Sequence, residues 1–217
     1  MILETRAVDP FFKNGYVLGC EVTREAVVID PGDEVDQLLE RLAHHRLRAT
    51  AILLTHAHLD HITGVGAARK ALGVPVWLHE ADNFLYERVV QQGLAFGFRV
   101  DAQPPVDHFY EPDQTFRFGE YEISVLHTPG HCPGGVALVV NGDPRTPGPT
   151  DRRSLIVGDT LFAGSIGRTD LPGGDMPTLL RSIREVLFSF PDGTPVYSGH
   201  GEPTTIGQER RSNPFLR

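Results

Sequence analysis

The stretch THAHLDH, Thr55–His61, sets His56, His58, Asp60 and His61 within six residues, directly behind the apolar run AILL. Imidazole and carboxylate are side chains that hold divalent metals, and burying this many of them without a cation or hydrogen bonds in return is costly. His56 and His58, two apart, share a face only in extended backbone, as at the end of a strand. Asp60 and His61 follow in a turn and at the start of a helix. One tight loop therefore offers two ligand pairs in different directions. A single tetrahedral ion has room for only four donors, so the natural use is two adjacent divalent ions. Zn, Fe and Mn all suit these donors.

Two ions need further ligands, expected at other loop ends. His131 lies in HTPGHCPGG after SVLH, Asp159 in GDT at the end of SLIVG, and His200 in SGHGEP after PVY. Each follows an apolar run and sits beside glycine, which lets backbone approach closely. A carboxylate placed like that of Asp159 can bridge two cations. The remaining histidines take structural readings. His44 and His45 fall on the polar side of a helix. His79 ends a strand without a partner motif, and His108 and His127 are similar, His127 being near enough to His131 to support it. Cys132 reads as a small buried side chain.

The elements that must position these residues alternate. Residues 16–30 read as two short strands around a turn at Thr23–Glu25. Asp33 is placed to cap a helix over VDQLLERLAHH, where Val35, Leu38, Leu39 and Leu42 recur at helical spacing. Ala51–Leu54 is a buried strand, GVGAARKALG a helix stopped at Gly73, and PVWLH the next strand. Residues 81–107 read as helical and then loop-like. This β-α-β-α-β order argues for an α/β layered fold with some parallel strands. TFRFGEYEISVLHTPG then reads as a hairpin turning at Gly119 and Glu120. GGVALVV and SLIVGDTLF are strands flanking NGDPRTPGPTDRR, a Pro/Gly-rich surface hairpin tip. MPTLLRSIREVLFSF is a helix, and TPVYSGHGEP ends a final short strand.

The 217 residues carry a net charge of −8, with 40% hydrophobic and 22% charged side chains. That balance is ordinary for a globular protein, and an acidic chain repels phosphate backbones, so no nucleic-acid partner is expected. No apolar stretch approaches the ~20 residues of a membrane span, and no signal-peptide pattern opens the chain. With only Cys20 and Cys132, both expected as thiols, the expectation is a cytoplasmic protein with no membrane partner.

THAHLDH, TPGH, GDTLF and SGHG, in this order, resemble the signature of the metallo-β-lactamase superfamily over nearly the whole chain. The resemblance implies an αββα sandwich with the metals at one edge of two sheets, in a single domain over residues 1–217. It implies that His56, His58 and His131 hold a first metal, that Asp60, His61 and His200 hold a second, and that Asp159 bridges. Asp30 in IDPG matches the family aspartate that orders a ligand loop rather than binding metal. FAGSIGRTDLPGGD and GHGEPTTIGQERRSNPF further resemble the short, single-domain glyoxalase II-like hydrolases. These imply a small-molecule thioester substrate derived from glutathione, such as S-lactoylglutathione. Arg168 could then offer a fork to a substrate carboxylate, with a salt bridge to Asp170 as the alternative. Glu209, Arg210, Arg211 and Asn213 read as a helix-end network. Full-length glyoxalase II has an extra helical domain that supplies much of its glutathione pocket. This sequence reaches NPFLR without one, so a different acyl thioester is the alternative substrate.

Two cations lower the pKa of a shared water, giving a bridging hydroxide at neutral pH, and stabilise a developing oxyanion. No unexplained Glu or His accompanies the ligand motifs as a general acid. A thiol ionises near pKa ~8.5 and leaves unaided, whereas an amide nitrogen needs a proton. Thioester hydrolysis is therefore expected, with lactones or other esters as alternatives. Asp60 could protonate a poorer leaving group, which makes Asp60 and Asp159 the catalytic carboxylates. The main rival is a persulfide dioxygenase, which shares the HxHxDH run and TPGH loop but holds one iron; here its ligands would be His56, His131 and Asp159. His200 argues for the two-metal reading.

Overall fold

The computed structural model describes residues 1–142 and 153–217. The hairpin tip expected in NGDPRTPGPTDRR falls largely on 143–152, outside the described residues. The chain divides into two compact units: Met1–Glu111 with Phe118–Glu120, and Pro112–Arg117 with Tyr121–Arg217.

The first unit is built on a six-stranded sheet whose spatial order follows the sequence: β1 (Ile2–Arg6), β2 (Gly15–Gly19), β3 (Glu25–Ile29), β4 (Arg48–Leu53), β5 (Val76–Leu78) and β6 (His108–Phe109). β1, β2 and β3 pair antiparallel, and β3 to β6 run parallel. Parallel neighbours need crossovers, and helices supply them. α1 (Val35–His45) links β3 to β4. α2 (Leu59–Ile62) and α3 (Val65–Leu72) link β4 to β5, and α4 (Asn83–Tyr86) and α5 (Val89–Ala95) lie between β5 and β6. The runs AVVI and AILL are continuous rather than alternating because these strands are buried on both faces. α1 turns Val35, Leu38 and Leu42 inward, and its bounds match the expected helix. The expected cap does not hold: Glu34 is the N-cap and makes no side-chain capping bond. Asp33 instead accepts a hydrogen bond from Thr63 Oγ1 at 2.7 Å, so its carboxylate is spent on another loop. Gly73 ends α3 in the left-handed conformation, as the sequence suggested.

The second unit carries β7 (Thr115–Phe118) except for its last residue, β8 (Tyr121–His127), β9 (Val136–Asn141) and β10 (Ser154–Ile156). It also carries a small hairpin of β11 (Leu161–Phe162) and β12 (Ser165–Ile166), then β13 (Pro195–Tyr197) and β14 (Thr204–Thr205). Its main sheet has the order β14-β13-β10-β9-β8-β7, with β10 and β13 parallel. The helix expected over MPTLLRSIREVLFSF begins as α6 (Met176–Arg181), capped by the Asp175 side chain. It widens into a π turn at Ser182–Val186 and tightens to a 3-10 turn at Leu187–Ser189. Leu179, Ile183 and Leu187 still reach the core formed by Ala137, Val139, Leu155 and Val196. α7 (Ile206–Ser212) closes the chain. β6, β12 and β14, two residues each, were too brief to be legible beforehand, and the expected strand SLIVGDTLF is broken after Ile156, its last two residues forming β11. Among the described residues, no helix is long and apolar enough to cross a membrane.

Candidate metal centre

In the first unit, β4 ends at Leu53, the chain bends at Thr55, and His58, extended with ψ 151°, stands at the N-cap of α2. His56 and His58 thus lie between the strand end and the helix, His58 in extended backbone, and Asp60 and His61 fall in the first turn of α2 as expected. All three histidines are buried. The ring centroids of His56 lie 4.0 Å from those of His61 and 5.0 Å from those of His58. His61 Nε2 stands 3.7 Å from Asp60 Oδ2.

Asp30 organises this loop. It follows β3 with φ +48°, an uncommon conformation for a residue with a Cβ. Its carboxylate accepts Thr55 N–H at 2.7 Å, Thr55 Oγ1 at 2.5 Å and His61 Nδ1 at 2.9 Å. Asp30, His56 and His61 each bring a ligand atom within 4.8 Å of the others, but the Asp30 oxygens are committed to Thr55 and His61. The bond to Nδ1 fixes the His61 tautomer so that Nε2 faces away with its lone pair, the usual arrangement of a metal-bound histidine and its carboxylate.

Four further residues hold this loop, and the sequence reading did not find them. Buried Asp82 accepts the Ala57 N–H at 3.1 Å. Gln92 on α5 accepts Leu59 N–H at 3.1 Å and donates to the Ala57 carbonyl at 3.0 Å and to Leu85. Lys13 donates to the Asp30 carbonyl and to Glu34. A Cβ on Gly32 would overlap the Asp60 carbonyl oxygen, so the glycine of IDPG is required by close approach. Beneath the loop, Tyr110 donates to the Leu54 carbonyl at 3.2 Å. Burial, then the charge of Asp30, pushes its phenol well above the usual range, so it remains a donor.

In the second unit, Asp159 and His200 each lie three residues beyond the ends of neighbouring parallel strands, β10 and β13. Ile156 pairs with Tyr197, and Gly199 N–H donates to the Gly158 carbonyl at 2.8 Å, so register carries both side chains to the same sheet edge. His131 leaves β8 through a loop seated on the start of α6. Asp175 N–H donates to the Gly130 carbonyl at 2.8 Å and Ser182 Oγ to the Pro129 carbonyl at 2.7 Å. Gly130 has φ +131°, and a Cβ there would overlap the Leu179 backbone. His131 Nδ1 donates to the Arg168 carbonyl at 2.7 Å, again leaving Nε2 as the ligand atom.

Asp159 Oδ2 lies 3.7 Å from His131 Nε2 and 3.5 Å from His200 Nε2. These separations are too long for good hydrogen bonds. Donors at 2.0–2.2 Å around one tetrahedral ion stand roughly 3.3–3.6 Å apart. The residues present thus fit a divalent metal in donor type, tautomer and spacing.

Arg168, read either as a substrate fork or as a partner of Asp170, places its guanidinium on Asp170 with two bonds of 2.7 Å at an exposed position. That bonding holds the Asp170 carboxyl down at about 2. Three of the other histidines make structural contacts. His45 pairs with Glu4 at 2.6 Å, His79 caps a 3-10 turn, and His127 binds the Pro133 carbonyl at 2.8 Å. Cys132 is buried, and neither cysteine forms a disulfide. Glu209 and Asn213 bond at 2.8 Å and Arg211 pairs with Asp192 at 3.0 Å, the helix-end network expected.

The family model described as the metallo-beta-lactamase superfamily matches residues 8–200. The hydroxyacylglutathione hydrolase GloC of Haemophilus influenzae is 38% identical over 195 residues, covering 89% of this chain and 88% of its own. A solved structure of TTHA1623 in a di-iron-bound form is 40% identical with a TM-score of 0.84, covering 98% of this chain and all (100%) of that one. A structure of ETHE1 from Myxococcus xanthus is 31% identical with a TM-score of 0.75, covering 99% of this chain and 84% of that one. Two sheets with their helices, buried histidines at strand ends and these matches give one conclusion: the chain has the metallo-β-lactamase fold and belongs to the metallo-beta-lactamase superfamily of metallo-hydrolases.

Proposed function

We propose that residues 1–217 act as one catalytic domain, in which the donors of the two units serve a single dinuclear centre that hydrolyses small acyl thioesters of the glyoxalase II type. His56, His58 and His131 would hold one ion, Asp60, His61 and His200 the other, with Asp159 between them. When bound, the ions would supply a water of lowered pKa as nucleophile and positive charge for the developing oxyanion. The observation that carries this reading is the convergence of His131 and His200 on one oxygen of Asp159, at 3.7 and 3.5 Å. A carboxylate serving two histidines from different loops is placed to bridge.

The protein's own groups set what can leave. Asp60 is the one first-loop carboxylate still partly open to solvent, and it is the candidate proton donor for a poor leaving group. A thiolate needs no such donor, so thioesters suit the site better than amides. GloC, a hydroxyacylglutathione hydrolase by name, supports S-lactoylglutathione as the first substrate to test.

A second reading is favoured by the likeness to ETHE1 and by the GRTD run: a single iron on His56, His131 and Asp159, acting as a persulfide dioxygenase. Elemental analysis beside two assays separates the readings. Two ions per chain with hydrolysis of S-lactoylglutathione supports the first. One iron with oxygen uptake on glutathione persulfide, and no thioester hydrolysis, overturns it. Hydrolysis of a lactone or β-lactam in preference to every thioester would move the substrate class within the same chemistry.

A further inference from the structure

We propose that the buried Lys13–Glu34 ion pair is a positioning device for the Asp60–His61 end of the metal centre; this rests on the two-ion reading above. Both side chains are 2% exposed. Lys13 Nζ meets Glu34 Oε1 at 2.5 Å and also donates to the backbone carbonyl of Asp30. Glu34 Oε1 accepts the Gly32 N–H at 3.0 Å. The pair therefore grips the turn Asp30–Gly32 from both sides.

That turn carries two consequences for the ligands. Asp30 is held at φ +48°, and from there its carboxylate orients His61 through Nδ1. Gly32 is pressed against the Asp60 carbonyl oxygen, and a Cβ on it would lie 2.9 Å from Lys13 Cε. Lys13 thus reaches His61 through Asp30 and the Asp60 backbone through Gly32. An ammonium is suited to this role because it supplies several donors at one point, whereas an apolar residue would leave the Asp30 carbonyl without its Lys13 donor. Stability alone does not explain the pair, since well-packed apolar replacements of buried ion pairs are often neutral or better.

The test compares wild type with K13M/E34Q. This variant removes both charges together and keeps a side-chain oxygen for Gly32 N–H. Each protein is stripped with chelator and titrated with Co(II), followed by visible absorption, with thermal melting by circular dichroism alongside. The expected result is a cooperative melt, a first equivalent bound as in wild type, and a second bound roughly 10–100-fold more weakly, the usual effect of losing support behind a ligand. Two equivalents at wild-type affinity would overturn the inference alone. Equal weakening of both, or a variant that does not fold, would show that the pair holds the fold rather than one end of the site, and also overturns it. A wild type that takes a single equivalent would instead fail the two-ion reading itself and remove the ligand end that the pair is proposed to seat.

Discussion

The two sets of candidate metal donors, one in each unit, are held in different ways. In the first unit four donors come from one loop, and side chains hold that loop: Asp30, Asp82 and Gln92 bond its backbone or its histidine. In the second unit three donors come from three loops, and backbone does most of the holding: strand register for Asp159 and His200, and the Arg168 carbonyl for His131. A crowded loop has no neighbouring strand to fix each ligand, so it recruits polar side chains. Dispersed ligands ride on strand ends and lean mainly on register, glycines and carbonyls, with Ser182 Oγ on the Pro129 carbonyl and Ser198 Oγ on the His200 carbonyl as the side-chain supports. The first half should therefore be sensitive to side-chain substitution around it, and the second to its own ligands and its glycines.

The sharpest break of that comparison is Asp159→Ala. Asp159 meets both His131 and His200 through one oxygen, so metal content should fall and S-lactoylglutathione hydrolysis should drop more than about 100-fold, beyond the loss typical of a supporting residue. Elemental analysis and the assay read it together, and unchanged hydrolysis would end the bridging role. Next in size is Asp30→Ala, which strands three donors at once. We expect metal affinity to weaken roughly 10–100-fold and the Thr55 amide to lose protection from hydrogen exchange. A variant that kept both would place the control of His61 elsewhere.

This contrast also explains what the sequence made legible. Four donors in six residues are visible because their chemistry is contiguous, and each of His131, Asp159 and His200 is marked by an apolar run before it and glycine beside it. Helix α1 was readable to the residue because its apolar spacing is regular. Lys13, Glu34, Asp82 and Gln92 were not, because their bonds span 17 to 35 positions or pair two residues of common type, and nothing local marks them. Asp33 was assigned the cap for the same reason in reverse: its position suited capping, while Thr63, 30 residues on, had the stronger claim.

Gln92→Ala sharpens the comparison at smaller scale. The side chain makes three hydrogen bonds, two of them to the ligand loop. A buried hydrogen bond is worth on the order of 1 kcal/mol, and a stranded partner costs about 1–3 kcal/mol. Urea unfolding should show a loss of about 2 kcal/mol, with the first-unit donors weakened and the Asp159 set untouched. An equal loss at both halves would show that they are not independently held.

The smallest effect is expected at Arg168, where backbone and side chain can be told apart. His131 is held by the Arg168 carbonyl, which any residue provides, while the guanidinium is engaged with Asp170 on the surface. Arg168→Met should therefore leave metal content and melting temperature at pH 7 unchanged. The pair still has a signature. Because the Asp170 carboxyl is lowered from 3.8 to about 2, its contribution is complete above pH 3.8 and is lost as pH falls through about 2. NMR titration should place the Asp170 midpoint near 2 in wild type and return it towards 3.8 in the variant. Exposed pairs of this kind hold weakly, so a substrate carboxylate could displace Asp170 and take the fork. A large rise in KM for S-lactoylglutathione with kcat unchanged would show that it does, whereas an unchanged KM confines the guanidinium to its surface pair.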